Sequence, residues 1–113
     1  MKVVINNIIP FKGYVAITLW PFIFVRKAVK ENVIRHEEIH GQQQKEMLIV
    51  LFYLWYAVEY LVRLVICRSH KEAYRNISFE QEAYLFEGDP SYSRKPYAWL
   101  KYVTKKTYQY GNT

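Results

Sequence analysis

The chain of 113 residues is poor in cysteine, glycine and proline, with one, four and four of them. The single cysteine, Cys67, excludes an internal disulfide framework and any multi-cysteine zinc site. So little glycine and proline excludes collagen-like and low-complexity sequences. Hydrophobic residues, by contrast, make up 51% of the chain and aromatic residues 18%. This composition supports a packed core and excludes disorder, and the length predicts one domain spanning residues 1–113.

Acidic residues are absent from both ends of the chain. All ten lie between Glu31 and Asp89, whereas residues 1–30 and 90–113 carry five basic residues each. The simplest interpretation is that the basic ends pack around an acidic centre. A basic surface for anionic lipid or nucleic acid is the alternative. Because the basic residues are scattered and form no nucleic-acid-binding signature, we expect no nucleic-acid partner.

The local patterns predict strands first and helices afterwards. Residues 3–9, 14–20 and 22–25 are rich in β-branched and aromatic side chains, which is typical of short strands. Polar residues and Pro10 interrupt this segment, so it is a poor signal peptide. We expect a cytoplasmic protein, either free or associated with a membrane. Residues 33–68 contain no proline, which predicts one long helix or two helices that meet near residues 41–44. After a break at 69–76, Ser78 is expected to cap a helix over 79–86, and a short helix is expected at 96–103.

The candidate metal-binding and catalytic residues lie in His36-Glu37-Glu38-Ile39-His40, an H-E-x-x-H pattern. Residues i and i+4 of a helix lie on one face, so both imidazoles can reach one metal ion. Glu37 can then take a proton from a water molecule whose pKa the metal has lowered. The pattern therefore predicts a zinc site with Glu37 as the general base.

A catalytic zinc needs a third protein ligand, and the sequence offers several. Cys67 lies in an apolar run, and His70 lies in a basic linker, so a glutamate on the later helix is the better choice. Both Glu80 and Glu82 are available there. They are two residues apart and cannot share a helix face, so only one of them can be the ligand.

His36-Glu37-x-x-His40 followed by Glu80-x-x-Ala83 resembles the gluzincins, zinc peptidases with two histidine ligands and one glutamate ligand. The short chain is similar to the smallest of them, the minigluzincins. The resemblance covers about residues 30–86. It implies that Glu80 is the third ligand, that Zn²⁺ is the cofactor and that the substrate is a peptide or protein. It also implies a small sheet packed on the active-site helix, a zincin-like α+β fold.

The resemblance leaves three points open. Tyr84 stands where the family often has an aspartate that braces a zinc-binding histidine, so another group must make that contact. The family also implies an edge strand that holds the substrate, somewhere within residues 14–25. A downstream histidine or tyrosine often stabilises the oxyanion in the family, and the candidates here are Arg94 and five tyrosines, at positions 92, 97, 102, 108 and 110.

Residues 47–67 form a long apolar run in which only Glu59 and Arg63 are charged. The run is long enough to cross a bilayer. A spanning helix, however, would place His36 and Glu80 on opposite sides of the membrane. We therefore expect a core helix wrapped by the sheet and the later helices, with the two charges paired at its rim. Surplus apolar surface would serve a homodimer or a membrane-surface contact.

The sequence thus favours a zinc-dependent, metallopeptidase-like hydrolase. One alternative is a small membrane-associated or assembly protein in which the H-E-x-x-H pattern is incidental. The other is a zincin that binds metal and peptide without cleaving. Zinc content distinguishes the membrane-associated or assembly protein from the other two hypotheses. A Glu37→Gln variant that keeps zinc distinguishes cleavage from binding.

Overall fold

A computed structural model describes residues 1–9 and 14–108 of the chain. It has three strands, four α-helices and a final 3-10 helix, in the order β1 Lys2–Ile5, β2 Ala16–Leu19, β3 Phe22–Val25, α1 Glu31–Glu46, α2 Val50–Cys67, α3 His70–Arg75, α4 Ser78–Phe86 and 3-10 helix Ala98–Tyr102. The expected α+β class, with its strands at the N-terminus, is confirmed.

The three strands form one sheet in the order β1-β3-β2. The central strand β3 pairs in parallel with β1 and antiparallel with β2. The sheet packs one face on α1, and the side chains of Thr18, Ile23 and Val25 are buried there. Strand β2 therefore lies at the sheet edge nearest α1.

The long helical segment is divided into two helices, as one of the two predictions had it, but the break is not at residues 41–44. Gly41 remains inside α1, where a Cβ atom would collide with the end of the Met1 side chain. The helix ends at Glu46, and Leu48 and Ile49 both have positive φ before α2 begins. Positive φ is unusual for residues with bulky side chains. The turn at Leu48 and Ile49 therefore could not be predicted from the residue types.

The prediction that the apolar run is a core helix is wrong. Only Phe52, Glu59 and Arg63 of α2 are buried. The prediction that Glu59 and Arg63 pair with each other at the rim is also wrong, because both side chains point inward and each binds another group. Glu59 accepts hydrogen bonds from the backbone nitrogen and the hydroxyl of Ser78, both at 2.6 Å. Arg63 donates to the carbonyl oxygens of residues 102, 103 and 105.

The hydrophobic core lies between the inner face of α2, the start of α4 and the final 3-10 helix. It is built on Phe52, Ile77, Phe79 and Trp99. Residues 69–76, expected to be a break, contain the short helix α3. Ser78, expected to be a helix cap, is instead the first residue of α4. The cap is supplied from outside, by the Glu59 carboxylate, which a local sequence pattern cannot reveal.

Candidate metal centre

Two helices deliver the predicted ligands to one point. His36 and His40 lie on the face of α1 that meets α4, and Glu80 lies in the first turn of α4. All three side chains are nearly inaccessible, with residue exposures of 6%, 5% and 3%. The first turn of a helix favours a carboxylate, because the helix dipole is positive there.

The three ligand atoms form a nearly equilateral triangle. His36 Nε2 lies 3.0 Å from Glu80 Oε1, His40 Nε2 lies 3.1 Å from the same oxygen, and the two Nε2 atoms are 3.1 Å apart. Ligands about 2.0–2.1 Å from a tetrahedral zinc ion are separated by about 3.3 Å. The observed spacing is therefore within a few tenths of an ångström of what zinc requires.

Hydrogen bonds on the far side of each ring fix which nitrogen is free. His36 Nδ1 lies 2.8 Å from a carboxylate oxygen of Glu87, to which it must donate. His40 Nδ1 lies 2.8 Å from Gln43 Oε1. The amide nitrogen of Gln43 donates to Phe79 O and to a Glu82 oxygen, so the Gln43 atom that faces His40 is the acceptor oxygen. Both imidazoles thus carry their proton on Nδ1.

Both Nε2 lone pairs consequently face each other and the Glu80 carboxylate. Three electron-pair donors at about 3 Å repel one another unless a cation lies among them. The second Glu80 oxygen is held by the Tyr56 hydroxyl, at 2.7 Å. Two neutral imidazoles and a carboxylate, each held by an outer hydrogen bond, are a donor set that could hold a zinc ion.

Without a metal, a proton takes the cation's place. Burial of the His40 imidazole acts to lower its pKa, but the Glu80 carboxylate outweighs this effect and raises the pKa to about 9. Burial likewise acts to raise the pKa of Glu80. The charge of His40 and hydrogen bonds from both histidines reverse this effect and hold the pKa well below its usual range. The site therefore favours bound positive charge.

Glu37 stands beside the triangle, with ligand-type atoms of His36, Glu37 and His40 all within 4.8 Å of one another. Its Oε1 lies 2.7 Å from the Thr18 hydroxyl of β2, which orients the carboxylate. Two cavities, of about 400 and 650 Å³, open beside it. Both are lined by Glu37, Tyr56 and Tyr74, so a ligand in either cavity meets the carboxylate.

The alternative ligands considered in the sequence lie elsewhere. Glu82 is fully buried and binds Gln43, Tyr92 and Arg94. His70 is exposed on α3, and its Nδ1 lies 2.7 Å from the Tyr60 hydroxyl. Of the two glutamates, only Glu80 meets the histidines.

Tyr84, at the position of the expected aspartate, packs its ring edge-on against His36 at 4.5 Å between centroids. The bracing carboxylate is Glu87 instead, held in turn by Asn32 Nδ2 at 3.2 Å and, through its backbone oxygen, by Arg35. Glu87 lies seven residues after Glu80, two helical turns onward on the same side. This spacing would allow Glu87 to be predicted from the sequence.

The downstream candidates for oxyanion stabilisation are engaged elsewhere. Arg94 binds Glu46 and Glu82, and Tyr92 binds Glu82. The other three described tyrosines belong to the C-terminal segment, residues 97–108, and do not line either cavity, while Tyr110 lies outside the described residues. The tyrosines that line both cavities include Tyr56 and Tyr74, which precede Glu80 in the chain.

The edge strand beside the site is β2. The Thr18 carbonyl accepts hydrogen bonds from Gln44 Nε2 at 2.8 Å and from the Tyr53 hydroxyl at 2.6 Å, so it points away from β3. Gln44 Oε1 accepts from the Trp20 backbone nitrogen, at 2.8 Å. The Gln44 amide thus pairs with this part of the edge as a neighbouring strand would. Outward groups alternate along a strand, so Ala16 presents its N–H and C=O in the same direction.

Comparison of the chain with protein-family models, with curated proteins and with solved structures finds no match.

Proposed function

We propose that the protein is a zinc-dependent peptidase of the gluzincin type, in which His36, His40 and Glu80 hold the metal. The observation that carries the proposal is the triangle of two Nε2 atoms and one carboxylate oxygen, at 3.0–3.1 Å. Bound zinc would supply Lewis-acid polarisation of a carbonyl and a more acidic water molecule.

Glu37 is the general base in this proposal. Its carboxylate takes a proton from the attacking water and then delivers that proton to the leaving amine. The Thr18 hydroxyl donates to Glu37 Oε1 and leaves the second oxygen for this transfer. Because the residue is only 9% exposed, few solvent molecules compete for that oxygen.

A peptide substrate would extend the sheet along β2. The outward N–H and C=O of Ala16 provide the pairing groups, and Ala16, Ile17 and Thr18 line the smaller cavity together with Glu37. Gln44 already occupies the stretch of edge beyond Thr18. The paired part of the substrate is therefore short and lies toward the Ala16 end of the strand.

Tyr74 is the hydroxyl that we assign to the developing oxyanion. It lines both cavities together with Glu37, whereas Tyr84, the tyrosine that follows Glu80 in the same helix, lines only the larger one. Burial raises the pKa of Tyr74, and the Glu80 carboxylate raises it further, so the phenol keeps its proton for donation at neutral pH.

Glu37→Gln tests the proposal. The zinc-loaded wild type and variant are incubated with a library of unstructured peptides, and new termini are identified by mass spectrometry. We expect cleavage by the wild type, loss of cleavage in the variant and equal zinc content in both. Glu38→Gln, the same change at the neighbouring position, is the control and should keep activity. If zinc binds but the wild type cleaves no peptide, the protein is a metal-binding zincin without peptidase activity, and the proposal fails.

A further inference from the structure

We infer that the outer face of α2 docks on the surface of an anionic lipid bilayer. The inference does not rest on the proposed peptidase function, because it comes from a different side of the molecule. Three observations carry it: the chemistry of the outer face, its shape, and the charge of the rest of the surface.

The exposed residues of α2 are all apolar. They are Val50, Leu51, Leu54, Trp55, Ala57, Val58, Leu61, Val62, Val65 and Ile66. The two charged residues of the helix, Glu59 and Arg63, are 8% exposed each and face the protein. A surface helix in water has the opposite arrangement, with its polar residues outside. An exposed apolar face of this size, without a polar side chain, is typical of a surface that binds another protein or a membrane.

The apolar face is too wide for a single partner helix. At 3.6 residues per turn, its ten residues fall within an arc of about 180°. A surface helix that packs on a globular core uses an apolar stripe of about 100° or more, and a coiled-coil seam is narrower still. A fluid apolar phase covers an arc of this width, whereas one helix of a second copy would cover only part of it.

Positive charge dominates the rest of the surface. Ten exposed residues of the described chain are basic: Lys2, Lys27, Lys30, Lys45, Arg68, Lys71, Lys95, Lys101, Lys105 and Lys106. Only Glu31 and Asp89 are exposed acids. Two of the basic residues, Lys45 and Arg68, flank the apolar helix at its two ends. This surface complements phosphatidylserine headgroups and repels a second copy of itself.

The contacts of the inner face make α2 lie along the membrane rather than cross it. Phe52 near its start, Glu59 at its middle and Arg63 near its end all bind the remainder of the domain. A crossing orientation would carry that remainder, with its lysines, into hydrocarbon. In the plane of the membrane, the apolar arc enters the boundary between headgroups and acyl chains while the domain stays in water.

Vesicle binding by the full chain, without zinc or substrate, tests the inference. The measurement is cosedimentation with vesicles of phosphatidylcholine alone or with 30 mol% phosphatidylserine. The variant replaces Leu54, Val58, Leu61 and Val65 by glutamine, which keeps the helix uncharged. The control replaces Leu85 and Leu100, two exposed leucines outside α2, by glutamine. We expect binding to the anionic vesicles, and a loss of about tenfold or more in the α2 variant but not in the control.

Absence of binding to anionic vesicles overturns the inference, and so does undiminished binding by the α2 variant. A dimer in lipid-free buffer that the same variant abolishes, with no vesicle binding, would assign the face to a second copy instead. If the variant does not fold, Trp55 on the α2 face replaces it as the probe, in a Trp20→Phe background from which the emission of buried Trp99 is subtracted with a Trp20→Phe, Trp55→Phe variant. Brominated lipids should quench its fluorescence, and unquenched emission would overturn the inference.

Discussion

Replacing Glu87 should weaken zinc binding although Glu87 is not a ligand. Its carboxylate lies 2.8 Å from His36 Nδ1, and its side chain is 25% exposed. The bond fixes the His36 tautomer, turns the ring toward the site and makes the free nitrogen a better donor. Loss of such an outer partner weakens metal affinity by about 10–100-fold, or about 1.4–2.7 kcal/mol.

The assay is zinc titration of Glu87→Ala in competition with a chromophoric chelator. Glu87→Gln should have an intermediate affinity, because its amide oxygen still accepts from Nδ1 but lacks the charge. Glu31→Ala, in the first turn of α1 at a side chain that is 90% exposed, is the control and should bind as wild type does. The contact of Arg35 with the Glu87 backbone oxygen persists in every variant, so the fold should be unaffected. Equal affinity of Glu87→Ala and wild type would refute the reasoning.

Three further predictions concern stability, pH and catalysis. Arg63→Met should lower the free energy of unfolding by about 1–3 kcal/mol in urea melts, because the carbonyl oxygen of Val103 loses its charged donor while those of Tyr102 and Lys105 keep Gln81 Nε2; a loss below about 0.5 kcal/mol would contradict the role given to this side chain. In metal-free protein the pKa of His40 is about 9, above the unfolded value of 6.5, so its contribution to stability is complete below pH 6.5 and disappears as the pH rises through 9. The melting temperature should fall over that interval, and the zinc-loaded protein, in which zinc replaces the proton, should not show the fall. Tyr74→Phe should lower kcat by about 10²–10³ with zinc affinity unchanged, whereas Tyr97→Phe, at an exposed position, should not; equal kcat values would remove Tyr74 from the mechanism.

Part of the candidate metal site could be predicted from the sequence, because the arrangement of its two histidines is local. The i, i+4 spacing of His36 and His40 fixes one helix face, and the structure brings both of them to Glu80 as the resemblance implied. The short strands could also be predicted from the sequence, because runs of β-branched and aromatic residues favour extended backbone. The spacing between Glu80 and Glu87 also allows Glu87 to be predicted, but the H-E-x-x-H motif alone does not point to it.

The environment of α2 could not be predicted, because hydropathy describes a segment and not its neighbours. The apolar run suits a core helix and an exposed helix equally well. Burial of Glu59 depends on Ser78, nineteen residues onward, and burial of Arg63 depends on the carbonyls of the C-terminal segment. Neither partner carries a sequence pattern, so the two charges appeared to pair with each other at the rim.

Metal content tests the central claim most directly. The protein is purified without chelator and without a histidine tag, reconstituted with zinc, and analysed by mass spectrometry beside His36→Ala and His70→Ala. The account predicts about one zinc per chain in the wild type and in His70→Ala, whose histidine is exposed on α3, and none in His36→Ala. A wild type that takes up no zinc, or a His36→Ala variant that retains it, would contradict the site and the proposed function together.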